Sequence, residues 1–169
     1  SKTGMCTPYD AQFEFSDFSP SKGDRLNVIF PGVTSTTGFT IPSKQVYSGS
    51  NYCNEASPCW GTAAYPADVS LHNICSVLAF NMTGTKAVTR VTLTAVGGEN
   101  IAGDFTLGVG KDGSFDGNIS GGSSSVLEIE LNYVPGTTLY IPVKSVNVSK
   151  GFIARMFDAS GKHMTLSFF

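Results

Sequence analysis

Apolar and polar residues alternate with a period of two through much of this chain. In Val88–Ala95, the residues Val91, Leu93 and Ala95 fall on one side, and Arg90, Thr92 and Thr94 fall on the other. Successive side chains leave opposite faces of a pleated strand, so this pattern predicts a strand buried on one face only. The stretch Leu71–Leu107 holds three such strands separated by two short turns. Elsewhere the pattern predicts strands at Gln12–Phe18, Arg25–Phe30, Gly38–Ile41, Ile74–Met82, Val88–Ala95, Asn100–Val109, Val126–Asn132, Thr138–Val143, Phe152–Asp158 and His163–Phe168. Apolar rows are expected at Leu26/Val28/Phe30, at Ile101/Gly103/Phe105/Leu107/Val109, at Leu127/Ile129/Leu131, at Leu139/Ile141/Val143 and at Met164/Leu166/Phe168.

Turn chemistry punctuates these runs. Gly97-Gly98 supplies positive φ after a strand. The segment Asp158–Gly161 reads as a hairpin loop, and 121–125 (GGSSS) reads as a flexible connection. No segment sustains a 3.6-residue period, so helix is expected to be minor. About ten short strands with frequent turns predict an all-β fold, a two-sheet antiparallel sandwich with Greek-key-like connections.

Size and composition narrow the picture further. The 169 residues suit one domain, 1–169, large enough to bury its own core. Charged residues make up only 14%, and the net charge is −2. With no basic run to neutralise phosphates, the charge argues against nucleic acid as a partner. No apolar run is long enough to cross a bilayer. The start of the chain lacks a hydrophobic leader, and the end is an alternating strand, HMTLSFF, without a tail. Both suit a secreted domain cut from a longer protein.

Four cysteines, Cys6, Cys53, Cys59 and Cys75, permit three fully paired connectivities. A local bridge between Cys53 and Cys59 is plausible in an oxidising compartment. Cys75 opens a strand and reads as a buried thiol. The C-x5-C spacing does not match a zinc knuckle.

Candidate chemistry is sparse. Asp112, Ser114 and Asp116 have the 1-3-5 oxygen spacing of a calcium loop, with Gly117 at the turn. The twelfth position is Ser123, where a bidentate Glu is needed, and a hairpin turn accounts for the same residues. His72 and His163 have no nucleophile elbow or ligand partner at a recognised spacing, and surface roles suit them better. Glu128 and Glu130 share a strand face, which invites a glycosidase reading. Their alternation with Leu127, Ile129 and Leu131 points instead to a solvated sheet face. Tyr47, Tyr52, Trp60 and Tyr65 surround the Cys53–Cys59 loop and could stack on sugar rings. The competing reading, which we favour, is a loop packed over one end of the core with Trp60 as its anchor. No catalytic residues and no cofactor are expected.

One ordered set of motifs resembles a family. His72–Phe80 (HNICSVLAF), Val88–Leu93, the turn Gly97–Asn100 and the strand start Ile101–Gly103 follow one another as in the fimbrillin-type surface proteins of Gram-negative anaerobes of the gut and mouth. Upstream, 39–52 (FTIPSKQVYSGSNY) is similar to the family's I-P-x-x-Q-x-Y segment. Downstream, 135–143 (PGTTLYIPV) and 151–165 (GFIARMFDASGKHMT) are similar to its later strands and D-x-x-G-K turn. The resemblance spans roughly Asp24–Phe169 and implies a transthyretin-like sandwich. It implies an exported lipoprotein anchored at the outer membrane, acting as pilus subunit or surface adhesin. Partners would be other pilus subunits or host and bacterial surface ligands. Family pilins assemble by strand exchange, and the strand carrying Met164, Leu166 and Phe168 is the expected edge. Family members usually have two such domains, and this chain has room for one. The alternative is a glycan-binding module of a polysaccharide-uptake lipoprotein.

Overall fold

In a computed structural model, residues 19–30, 37–48, 53 and 56–169 are described. The expected strand at Gln12–Phe18 lies outside them, as do Cys6 and Tyr52. The described residues form strands without an α-helix. They are β1 (Arg25–Phe30), β2 (Gly38–Ile41), β3 (Lys44–Tyr47), β4 (Cys59–Ala64), β5 (His72–Asn73), β6 (Cys75–Asn81) and β7 (Val88–Ala95). They continue with β8 (Gly103–Val109), β9 (Phe115–Gly121), β10 (Val126–Tyr133), β11 (Thr138–Lys144), β12 (Phe152–Phe157) and β13 (His163–Phe168).

The largest sheet has the order β13-β12-β7-β10-β3. Its pairings are antiparallel except for β3, which runs parallel to β10. The register aligns the apolar rows that alternation predicts. Val91 sits between Ile129 and Met156, and Leu93 sits between Leu127 and Ala154. All six are buried. The opposite face of the same strands carries Arg90, Thr92, Glu128, Glu130 and Arg155. Arg90 places its guanidinium 3.8 Å from the Phe157 ring centroid and pairs with Glu128 at 3.8 Å. This is the solvated face expected for Glu128 and Glu130, and such surface pairs contribute little to stability.

Three smaller ladders, β1-β4-β5, β11-β6 and β2-β8-β9, supply the rest of the sandwich. Phe39, Ile41, Trp60, Phe105, Leu107, Leu139, Ile141 and Val143 from these ladders join the inward rows of the large sheet in one buried cluster. Phe39 stacks on Phe105 at 5.4 Å between centroids.

Pro142 explains one break in this second layer. In an antiparallel pair, alternate residues aim both N–H and C=O at the partner and the others aim both away. The Lys144 N–H donates to Ile101 O at 3.0 Å, and Tyr140 O accepts from the Tyr47 hydroxyl at 2.9 Å. Tyr140, Pro142 and Lys144 therefore point away from β6. Proline has no N–H to offer on that side, so no ladder can run continuously through it.

Some expectations shift. Ile29, opposite Trp60, packs against the core, while Phe30 at the end of the expected row is 52% exposed. Val109 leaves its row because the β8–β9 register shifts between Leu107 and Val109. The segment 121–125 is held in place, not loose. Gly122 takes φ +89° with the Phe105 ring so close that a Cβ would collide with it, and Ala102 bridges Ser124.

Replacing Ile129, fully buried at the centre of the large sheet, by Ala is expected to cost about 2–5 kcal/mol. Thr92→Ala on the opposite face is expected to stay within about 0.5 kcal/mol. Urea denaturation of both variants checks this, and equal losses would contradict the assigned faces.

Candidate functional site

The expected edge strand lies where alternation places it. β13 pairs with β12 so that Met164 faces Met156, Leu166 faces Ala154 and Phe168 faces Phe152. Met156, Ala154 and Phe152 are buried, so the β13 row points into the sandwich. Yet Met164 is 49% and Leu166 37% exposed. The cause lies in the opposite layer. Leu78 and Phe80 of β6 pack toward the core, and the Phe80 ring meets Phe168 edge-on at 5.6 Å. Beyond that contact, no described strand lies over Met164 and Leu166.

Among the described strands, one edge of β6 has no ladder partner. Ser76, Leu78 and Phe80 are paired with Val143, Ile141 and Leu139, the β11 residues aimed at β6. By the same alternation, Cys75, Val77, Ala79 and Asn81 direct their N–H and C=O groups to the other side. β6 has only β11 as a ladder neighbour among the described strands. Phe80 of this strand reaches β13 at Phe168, so among the described residues an unpaired strand edge and a half-exposed apolar row belong to layers in contact.

At one end this groove widens into a cavity of about 370 Å³. Its apolar lining includes Met82, Val88, Met156 and Met164, and its rim carries Lys86, Asp158 and Lys162. The Asp158–Gly161 hairpin forms as expected, with φ +79° at Gly161. Asp158 Oδ1 accepts from the Ser160 hydroxyl at 2.6 Å, the Ser160 N–H at 2.9 Å and the Lys162 N–H at 3.1 Å. Its other oxygen lies 3.7 Å from Lys86 Nζ. The Ser160 hydroxyl, helped by the two N–H donors and the Lys86 charge, holds the Asp158 carboxyl below its ordinary range.

The remaining candidates are dispersed. Asp112 Oδ1 accepts from the Ser114 N–H at 3.1 Å and hydroxyl at 2.6 Å, and Asp116 Oδ1 accepts from the Asn118 N–H at 2.8 Å. The oxygens of the calcium-like spacing are thus used in closing their own turns. Among the described residues no three His, Cys, Asp or Glu side chains gather as a metal site. His72 is exposed on β5 opposite Trp60, and His163 lies 5.0 Å from the Phe157 ring.

Of the aromatic set, Tyr47 and Trp60 are buried, Trp60 against Phe115 at 6.0 Å, and Tyr65 is 39% exposed. Tyr47 is tied down by its hydroxyl, which donates to Tyr140 O. The two buried rings act as packing anchors and offer no stacking face to a saccharide.

Cys59 is disulfide-bonded, while Cys53 and Cys75 retain thiols, so the local Cys53–Cys59 bridge is not formed. Burial raises the Cys75 thiol pKa, against the opposing effect of the Ser57 hydroxyl 3.5 Å away. The Gly97–Asn100 turn is structural. Glu99 Oε1 accepts from the Ser149 N–H at 2.9 Å and hydroxyl at 2.5 Å, and Asn100 Nδ2 donates to Gly122 O at 2.7 Å.

Alternation identified the β13 row, but two parts of the site carried no sequence signal. The cavity rim joins Lys86 to Asp158 across 72 positions (158 − 86), and the open edge of β6 depends on which strand its neighbour is. Comparisons with protein-family models, with curated proteins and with solved structures return no match.

The lowered Asp158 pKa gives a signed expectation. A depressed folded-state value means that the ionised carboxylate stabilises the hairpin fully above the unfolded value, about pH 4. That contribution fades as the pH falls through the lower folded value. Ser160→Ala should raise the Asp158 pKa toward its ordinary range, as followed by carboxyl carbon shifts in an NMR titration. An unchanged titration curve would remove the Ser160 hydroxyl as the cause.

Proposed function

We propose that this chain is a structural or adhesive domain of a fimbrillin-like surface protein, and that it acts by accepting a strand from another chain. It is not an enzyme in this reading. The whole protein is a pilus subunit or surface adhesin, exported and held at the outer membrane. The observation that carries the proposal is the half-exposed inward row Met164/Leu166, in the layer facing β6, whose second edge no described strand occupies. A strand added beside β6 extends the β11-β6 ladder and closes the sandwich over β13.

The energetics favour occupancy. Burying the exposed parts of Met164 and Leu166 is worth about 1 kcal/mol each. Each new backbone hydrogen bond contributes about 0.5–1.5 kcal/mol. Left open, an apolar edge of this kind invites uncontrolled association, so it needs a dedicated partner. The disulfide at Cys59 supports an oxidising compartment outside the cytosol. Among the described residues no helix is long and apolar enough to cross a membrane. The glycan-binding alternative has no observation in its favour, because Tyr65 is the one exposed ring among the described members of its set.

Strand uptake predicts an alternating protection pattern. Hydrogen exchange of the protein mixed with strand-length peptides tiling its own sequence should newly protect the Val77, Ala79 and Asn81 amides. The Leu78 and Phe80 amides, already bonded to β11, should change little. Leu166→Asp, at a half-exposed position, should abolish the new protection while the domain stays folded. Uniform protection along β6, or none with any peptide, would refute strand uptake there.

A further inference from the structure

The cavity at the end of the groove is more specialised than a generic strand acceptor requires. Three of the four methionines in the chain, Met82, Met156 and Met164, line it. They come from three different segments: the residue just after β6, the inward row of β12 and the start of β13. Met156 and Met164 are direct cross-strand partners. Thioethers are polarizable and unbranched, so they reshape around an incoming group, and they make favourable contacts with aromatic ring edges. The space of about 370 Å³ is an open depression, wide enough to seat an aromatic ring, with buried Met82 and Met156 beneath and half-exposed Met164 at its side.

The rim adds a charge requirement. Lys86 and Lys162 contribute two positive charges, and Asp158 contributes one negative charge. Asp158 is already committed to Lys86, Ser160 and the Lys162 N–H. One positive charge at the mouth is therefore left uncompensated, beside an apolar floor. A neutral or basic strand terminus gains nothing there, whereas a carboxylate does.

Resting on the strand-acceptor reading above, we propose that the groove selects a partner strand with an aromatic anchor residue next to an acidic one. The aromatic side chain fills the methionine-lined cavity. The carboxylate, one or two residues from it at the end of the strand, meets Lys162 at the rim. The alternating apolar residues that follow the anchor run along β6 and cover Leu166. Affinity then divides into a register-setting part at the cavity and a sequence-tolerant backbone part along the edge.

Binding of the intact chain to labelled nine-residue peptides tests this. The peptides alternate Val and Thr, with Phe, Leu or Ala scanned through the inward positions and Asp or Asn beside it. The best Phe peptide should bind about 10-fold more tightly than its Ala counterpart. Asp should outbind Asn about 3-fold at low salt, and that preference should vanish in Lys162→Gln and in high salt. Met164→Leu, which keeps the bulk and removes the sulfur, should reduce the Phe-over-Leu preference and leave the Ala peptide unaffected. Equal binding of the Phe, Leu and Ala peptides, with the alternating β6 protection still present, overturns the selectivity and leaves strand uptake standing. Binding by no peptide, with no β6 amide protected, removes both.

Discussion

A β-sandwich is stable when every inward side chain of one layer meets a strand of the other. That condition holds in the middle of this molecule. The rows Val91/Leu93, Leu127/Ile129 and Ala154/Met156 stand in register across three neighbouring strands and are fully covered. It fails at one margin. The fourth strand in the same register, β13, presents the same kind of row to a place where the described strands of the second layer stop. The candidate site follows from this single mismatch between the extents of the two layers.

The mismatch is built from ordinary parts. β6 is held by β11 alone among the described strands, and β11 carries Pro142 on its far side. The large sheet continues through β12 to β13 because a tight hairpin, fixed by Asp158 and Gly161, returns the chain beside itself. The sheet that extends by a local turn is therefore longer than the layer assembled from distant segments. No unusual residue or reactive group is needed to create the groove, in keeping with a surface that recognises backbone and shape.

The all-β class and most strands were legible from alternation, and β1, β2, β7 and β13 have the expected bounds. The missed strands had physical reasons to be hidden. β4 (CWGTAA) lies between β1 and β5 and begins with three buried residues in a row, so it shows no alternation. β9 (FDGNISG) is an edge strand whose Asp and Gly residues read as turn chemistry. β3 is four residues long and β5 two, too short for any period to register. In the candidate site, the row Met164/Leu166/Phe168 was readable because period-2 order is local. Its exposure was not readable, because that depends on whether a strand from elsewhere in the chain covers it. The aromatic cluster around 47–65 failed as a sugar platform for a related reason. Closeness in sequence put four rings together on paper, while the fold assigned Tyr47 and Trp60 to different sheets.

Pro142 also bears on what holds the second layer in place. By interrupting the hydrogen-bonded seam between β11 and the segment carrying Ile101, it leaves the β11-β6 ribbon joined to the rest mainly through side-chain packing. That packing is extensive, since Leu139, Ile141 and Val143 are all buried in the shared core, so apolar contact rather than a continuous ladder ties this ribbon to the five-stranded sheet.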